Sequence, residues 1–311
     1  MEYRRLGRSG LQVSVIGLGG NTFGRYADES QTASIVDAAL EAGINFIDTA
    51  DIYNNGVSEE LLGKAIRGKR DRLLIATKVG MELHPGPNGN GSSRKRVIEG
   101  CEASLRRLNV EAIDLYQIHR FDPETPLEET LGALDDLVRA GKVRYIGCSN
   151  YDAWQVVQSL WISDRRGFAS FVSVQPEYNL LQRDIERELV PCCLEFGLGV
   201  IPFFPLAAGV LTGKYKPGEP PPEGTRGHNN PRFEPRLQRQ TLERVLRLDA
   251  WAHERGHSVG ELALAWLASQ PAVATVIAGT TRPEQVQANA RAADWKLSAE
   301  DMRAVDEILA S

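Results

Sequence analysis

Short runs of consecutive apolar residues alternate with longer segments whose apolar positions recur every three or four residues, from one end of the chain to the other. The runs "VSVIGLG" (13–19), "FIDT" (46–49), "LLIATKV" (73–79), "IDLYQIH" (113–119), "VRYIGCS" (143–149), "FVSVQ" (171–175), "LGVIPFF" (198–204) and "ATVIAG" (274–279) have strand length. Their continuity is that of strands buried on both faces. Helix-period segments follow them: Gln31 to Glu41, the stretch from Ser58, "RKRVIEGCEASLRRL" (94–108), "LEETLGALDDLVRA" (127–140), "DAWQVVQSLW" (152–161) and "IERELVPCCLEF" (185–196). A long loop then leads to "SVGELALAWLAS" (258–269), and "PEQVQANARA" (283–292) comes last in the series. In 94–108, Val97, Cys101, Leu105 and Leu108 share one face.

Strand–helix alternation predicts a parallel sheet with right-handed crossovers. About eight such units, with no linker between them, favour a closed (β/α)8 barrel over an open sheet. The glycines of "GLGGNTFG" lack the spacing and the following helix that a dinucleotide-binding phosphate turn needs. The remaining pieces decorate the barrel: a hairpin around Arg8 to Gly10 at the start, and a C-terminal helix capped by Ser298. Residues 1–311 read as a single domain.

Composition narrows the partners. A chain with 42% hydrophobic and 25% charged residues has the balance of a folded soluble protein. Its net charge of −5 supplies no general attraction for nucleic acid or an anionic membrane, leaving small molecules as the favoured partners. Gln270 and Pro271 split the longest apolar region, 261–279, so it predicts a helix and a strand rather than a membrane span. The N-terminal apolar run is too short and too alternating for a secretory signal. Cys101, Cys148, Cys192 and Cys193 form no CxxC pair and no metal-ligand spacing. Free thiols in a reducing, cytoplasmic compartment and no metal site are the expectation. The oligomeric state is left open.

In a parallel barrel, functional groups come from the C-terminal ends of the strands. Those ends carry Asp48 and Tyr53 after the second run, Lys78 in the third, His119 after the fourth, Ser149 and Asn150 after the fifth, and Gln175 after the sixth. A phenol near its ordinary pKa of about 10 is a weak acid at neutral pH, and a nearby ammonium lowers that value. Lys78 is placed to be that ammonium, with Asp48 keeping it charged. His119 would hydrogen-bond a substrate oxygen or share the proton passed through Tyr53. Such a set suits protonation of a carbonyl oxygen while another reagent attacks its carbon, and hydride from a nicotinamide is the natural candidate. Taken singly, each residue has an ordinary structural role: a turn cap for Asp48, a loop aromatic for Tyr53, an edge charge for Lys78 and a buried imidazole for His119. Their succession at consecutive strand ends is what favours catalysis.

The ordered motifs "FIDTADIYNNG", "IATKVG", "LYQIHRFDP", "GKVRYIGCSNY", "VQPEYNLLQR", "FFPLAAGVLTGKY" and "GTTRPEQVQANA" resemble those of the aldo-keto reductases over nearly the whole chain, including the potassium-channel beta-subunit branch. The resemblance implies a catalytic tetrad of Asp48, Tyr53, Lys78 and His119 with Tyr53 as proton donor. It implies that Ser149, Asn150 and Gln175 hold the nicotinamide amide and that Phe203 stacks on the ring. Further cofactor contacts implied are Gly20 and Asn21, then Pro205, Leu206, Gly209, Leu211 and Lys214 toward the pyrophosphate. Gly279, Thr280, Arg282, Gln285 and Asn289 would surround the adenosine part.

Two of these segments also carry a physical reading. The glycine-bearing "PLAAGVLTGK" lets backbone N–H groups approach a pyrophosphate, and the helix opening at Pro283 presents its positive end to a phosphate. Many members of the family carry a lysine where Gly279 stands, to bind the 2′-phosphate of NADPH. Arg282 is expected to replace that charge through its guanidinium, so NADPH is the expected cofactor, with NADH possible.

Two loops are expected to shape the substrate site: 81–93, rich in glycine, and 215–240, where stiff prolines mix with Arg226, Arg232 and Arg236. The second is expected to close over the cofactor. Arg120 faces the substrate or pairs with Asp122, and Tyr26, Phe23 and Phe121 hint at an apolar rim. The leading function is reduction of an aldehyde or ketone by NADPH. A cofactor-binding sensor of the same fold is one rival. A Schiff-base aldolase using Lys78 is a second, opposed by Asp48 beside that lysine. A phosphosugar isomerase is a third, opposed by the lack of a strand-end glutamate.

Overall fold

The computed structural model describes residues 1–310. A hairpin of β1 (Tyr3–Arg5) and β2 (Gln12–Ser14) precedes eight parallel strands. These are β3 (Ile16–Gly19), β4 (Phe46–Asp48), β5 (Leu74–Val79), β6 (Ile113–Ile118), β7 (Val143–Ser149), β8 (Phe171–Gln175), β9 (Gly199–Val200) and β10 (Val276–Gly279). They pair in the order β10-β3-β4-β5-β6-β7-β8-β9. The ring closes between its end strands, where Val200 N–H donates to Ala272 O at 2.8 Å, Ala274 N–H to Val200 O at 2.9 Å and Ile277 N–H to Pro202 O at 3.0 Å. The result is the (β/α)8 barrel that the strand–helix rhythm predicts.

The helices are α1 (Glu29–Glu41), α2 (Val57–Ala65), α3 (Arg94–Leu108), α4 (Leu127–Arg139), α5 (Ala153–Arg166), α6 (Leu189–Phe196), α7 (Arg239–His253), α8 (Val259–Ala268), α9 (Pro283–Ala292) and α10 (Ala299–Ala310). Local chemistry sets several of their starts. Asp28 and Gln31 form a capping box at α1, as Ser258 and Glu261 do at α8, each satisfying backbone donors that the first turn leaves free. Ser298 exchanges hydrogen bonds with Asp301 at the start of α10. The apolar stripes of the helices face the outside of the barrel, as Leu131, Leu134 and Leu137 of α4 do. Each such buried aliphatic side chain contributes about 1.5–3 kcal/mol.

Three elements differ from the sequence expectation. The run 13–19 is two strands, because Ser14 donates its hydroxyl to Ile16 O at 2.7 Å and its backbone N–H to Asn45 Oδ1, which separates the hairpin from the barrel. The segment 185–196 is a short 3-10 turn, Asp184–Glu186, followed by the separate helix α6. The long loop before residue 258 is shorter than read, since α7 occupies 239–253 and buries Leu242, Val245, Leu248 and Ala252 on one face. Beyond β9, residues 201–204 keep the barrel spacing through Ile201 N–H to Val174 O and Phe203 N–H to Pro176 O.

The barrel interior is divided by chemistry. Leu6, Val13, Phe46, Ala76, Leu115, Ile201, Ala274 and Ile277 form an apolar plug at the end covered by the hairpin. Gly7 lets the hairpin seat there: its φ is +57°, and a Cβ would lie 2.5 Å from Val172 O. The opposite end is polar and holds Asp48, Lys78, Gln117, Ser149 and Gln175, all buried. Among the described residues no helix is long and apolar enough to cross a membrane.

Candidate active site

At the polar end, β4 and β5 lie side by side with Asp48 opposite Ala76, and Lys78 follows two residues further along β5. Lys78 is wholly buried, and its Nζ donates to Asp48 Oδ2 at 2.5 Å, to Thr49 O at 2.9 Å and to Tyr53 Oη at 3.3 Å. Asp48 Oδ1 in turn accepts from Gln175 Nε2 at 2.9 Å and from Gln117 Nε2 at 3.3 Å. Burial opposes the ammonium, yet Asp48 and Tyr53 together outweigh it and raise the Lys78 pKa.

Tyr53 sits on a tight turn, Tyr53–Gly56, in which Asn54, Asn55 and Gly56 all have positive φ. Asparagine and glycine adopt that region at least cost, which explains "YNNG" at this place. Asn54 Nδ2 ties the turn to Gly24 O at 2.7 Å. The phenol is raised above its ordinary pKa: desolvation outweighs the pull of Lys78, and Asp48 adds to the rise. The expected lowering by the ammonium is therefore reversed in the resting protein, because the dry environment penalises the phenolate more than one paired lysine stabilises it.

His119 meets Tyr53 edge-on, with ring centroids 5.8 Å apart. Burial, with the charges of Lys78 and Arg120, pushes its imidazole down to about 3. The ring is neutral at physiological pH. Asn150, in the left-handed region at φ +55°, donates from Nδ2 to His119 O at 2.9 Å and to Ser149 Oγ at 3.0 Å. Ser149 Oγ donates to Gln175 O at 2.7 Å. The strand-end residues singled out in the sequence thus form one hydrogen-bonded set.

They floor a cleft of about 630 Å³, within the usual range for small-molecule sites. Asp48, Tyr53, His119, Ser149, Asn150, Gln175 and Phe203 line one part of it. Gly20, Asn21, Pro205, Leu206, Gly209, Lys214, Gly279, Thr280, Arg282 and Gln285 line the rest. Two expected residues lie elsewhere. Leu211 is fully buried in the core, with its N–H bonded to Leu206 O, and Asn289, two turns into α9, is off the cleft wall. Lys78 lies beneath, bonded to Asp48 and Tyr53, and does not line the cleft.

The structure adds residues that sequence reasoning passed over. Thr22, Phe204, Thr225 and Thr281 line the cleft, and Tyr26 and Arg226 join them. Arg226 reaches it because Asn230 Nδ2 holds Arg226 O at 2.9 Å and the Gly227 N–H donates to Tyr215 Oη at 3.2 Å, packing the loop on Tyr215 and Phe233. Arg236 instead pairs with Glu177 at 2.9 Å. Arg120 does not pair with Asp122, which accepts from Ser92, Glu124 and Thr125. Phe204, Ala207 and Ala208 all take positive φ, a costly cluster for residues with side chains. It turns the chain after β9 along the cleft; no composition signal announced it.

Two buried polar atoms at the cleft have no protein partner and are open to a ligand. His119 Nδ1 and Thr280 Oγ1 are both in this condition, and both residues line the cleft. Leaving such a group unpaired costs about 1–3 kcal/mol. Lys214, Arg226 and Arg282 border the same cleft without a carboxylate partner among the described residues. Among those residues no cluster of histidine, cysteine and carboxylate side chains is arranged to hold a metal ion.

Residues 15–310 match the model of the aldo/keto reductase family. The chain is 39% identical to a probable voltage-gated potassium channel subunit beta of Arabidopsis thaliana, over 94% of this chain and 92% of the relative. It is 36% identical to the L-glyceraldehyde 3-phosphate reductase of Escherichia coli strain K12, over 100% of this chain and 93% of that one. It is 35% identical to the aldo-keto reductase YhdN of Bacillus subtilis, over 99% and 94%. With a family match across almost its full length and reductases among its relatives, this chain belongs to the aldo/keto reductase family.

Proposed function

We propose that the protein reduces an aldehyde or ketone to the alcohol with NADPH as the hydride source and Tyr53 as the proton donor. The observation that carries this reading is the phenol of Tyr53 at the floor of the cleft, 3.3 Å from an ammonium that is itself 2.5 Å from Asp48. A bound reduced nicotinamide supplies the hydride. The protein's own residues do the rest. A carbonyl oxygen between Tyr53 and His119 receives hydrogen bonds from the phenol and the neutral imidazole. As negative charge develops on that oxygen, Tyr53 hands over its proton, and the product is an alcohol. Lys78 stabilises the phenolate left behind, and Asp48 keeps Lys78 charged and in place. Solvent then returns the proton to Tyr53. A neutral His119 suits hydrogen bonding better than proton sharing, since charging the ring is opposed by burial and by Lys78.

The cleft fits the dinucleotide. Ser149, Asn150 and Gln175 surround the nicotinamide end, with Phe203 as the stacking ring. Gly209 and Lys214 lie toward the pyrophosphate, where a Cβ on Gly209 would come within 3.2 Å of Lys214 Nζ. Thr280, Arg282 and Gln285, at the start of α9, take the adenosine end, and the unpaired Arg282 favours the extra phosphate of NADPH. Arg226 brings a third cation from the loop 215–238, which supports closure of that loop over the cofactor. The raised pKa of Lys78 speaks against a Schiff-base role.

The similarity to the plant channel subunit favours a second reading, in which bound cofactor regulates a partner protein and turnover is slow. Titration with NADPH and NADH, followed by cofactor consumption across a panel of aliphatic and aromatic aldehydes, separates the two. Tight NADPH binding with turnover supports the reductase; tight binding with none supports the regulatory reading; no binding contradicts both.

A further inference from the structure

A glutamine in the middle of a barrel strand is an expensive choice. Gln117 lies in "IDLYQIH", is wholly buried, and is register partner of Lys78 on one side and Gly147 on the other. An unpaired amide in such a place costs about 1–3 kcal/mol in mutational terms, and an apolar side chain would fill the space without that risk. Gly147 presents no side chain there; a Cβ would lie 2.5 Å from Ser173 Oγ and 3.4 Å from Gln117 Cγ. The amide is aimed at the carboxylate under the reaction site: Gln117 Nε2 donates to Asp48 Oδ1 at 3.3 Å. Its carbonyl oxygen faces Gln175 Nε2 at 3.5 Å, the same nitrogen that donates to Asp48 at 2.9 Å.

From this geometry we infer that Gln117 is a positioning residue for the reaction, holding Asp48 in the orientation that keeps Lys78 beneath Tyr53. It does not line the cleft. Its role follows from the division of labour at Asp48. Oδ2 is committed to Lys78, and Oδ1 has two amide donors, Gln175 and Gln117. Gln175 lines the cleft and is the amide that a ligand there can recruit. Gln117 has no access to the cleft, so it remains a donor to Asp48 when Gln175 turns away. The carboxylate is thereby held in both states of the cleft. This inference rests on the carbonyl-reductase reading for its kinetic consequence, but the Gln117–Asp48 contact itself does not.

The test uses the full chain and two substitutions. Gln117→Met keeps the side-chain length and removes the donor. It should lower kcat about tenfold, in line with loss of one hydrogen bond to a charged group, and leave KM and the NADPH dissociation constant within about twofold. Gln117→Glu places a second carboxyl against Asp48, and that carboxyl can donate only while protonated. Activity should survive at low pH and fall as the introduced group ionises, a limb absent from the wild-type profile. Carbon-13 titration of the introduced carboxyl gives a readout independent of turnover. Its pKa should lie well above an ordinary glutamate and drop when Asp48→Asn is added. Wild-type kcat in Gln117→Met, or a parallel fall of kcat, cofactor affinity and melting temperature, overturns the positioning role. An introduced carboxyl that ignores Asp48→Asn overturns the contact. If wild type turns over no carbonyl compound while the two carboxyls remain coupled, the proposed function fails and the contact stands.

Discussion

Replacing Lys78 by methionine tests the buried charge pair and the chemistry together. Lys78 and Asp48 are 0% and 2% exposed, and the ammonium also serves Thr49 O and Tyr53 Oη. Removing one partner of a buried pair costs about 3–5 kcal/mol, because the other charge is left in a dry site. Asp48 retains Gln175 and Gln117 as donors, which places Lys78→Met at the lower end, about 3 kcal/mol. Adding Asp48→Asn removes the stranded charge, so the double variant should regain about 2 kcal/mol of that loss. Guanidinium denaturation of the four chains without cofactor, at one pH, measures each corner of the cycle. The same Lys78→Met chain should lose at least about a hundredfold in kcat, since the phenolate of Tyr53 has lost the ammonium 3.3 Å away. A Lys78→Met destabilisation under about 1 kcal/mol, or additive single losses in the double variant, would refute the electrostatic account.

Three further outcomes follow from other parts of the site. Burial holds the imidazole of His119 at about 3, well below the ordinary 6.5, so the unfolded chain binds this proton first on acidification. Stability should therefore fall as pH drops from about 6.5 toward 3, by less than about 1.4 kcal/mol per pH unit because the ring is only half-buried, and His119→Asn should flatten that slope in thermal melts; an unchanged slope contradicts the shift. Arg282→Ala should weaken NADPH about tenfold and NADH by less than twofold in fluorescence titrations, and equal losses for the two would dismiss Arg282 as the phosphate ligand. Gly209→Val should raise the dissociation constant for cofactor several-fold, since φ is +104° there and the new side chain meets Lys214; unaltered affinity would remove this turn from the cofactor site.

The barrel was legible because each of its strands is a short apolar run and most of its helices carry a clear three-to-four-residue period. Asp48, Tyr53, Lys78 and His119 were legible for the same reason, since a parallel barrel delivers its strand ends to one face. What escaped depends on long-range partners. The helix α7 had its signal in Leu242, Val245 and Leu248, but its polar flanks merged with the proline-rich loop before it. Ser14 splits an apolar run through a side-chain hydrogen bond that no pattern records. The raised pKa of Tyr53 depends on how completely its surroundings are dried, which only packing decides. Leu211 sits in a motif where Phe204, Ala207, Ala208, Gly209 and Gly213 all take positive φ, so its side chain goes to the core while Gly209 and Lys214 stay at the cleft. Gln117 had a signal in plain view, a polar residue in an apolar strand, but its partner lies 69 positions away.

The central claim is that Tyr53 donates the proton to a carbonyl oxygen. The most direct measurement compares wild type with Tyr53→Phe, following NADPH consumption with an aromatic aldehyde after confirming by fluorescence that both chains bind the cofactor equally. The account predicts matched NADPH affinity and a loss of at least about a hundredfold in kcat for the phenylalanine variant. Comparable turnover by the two chains would contradict it.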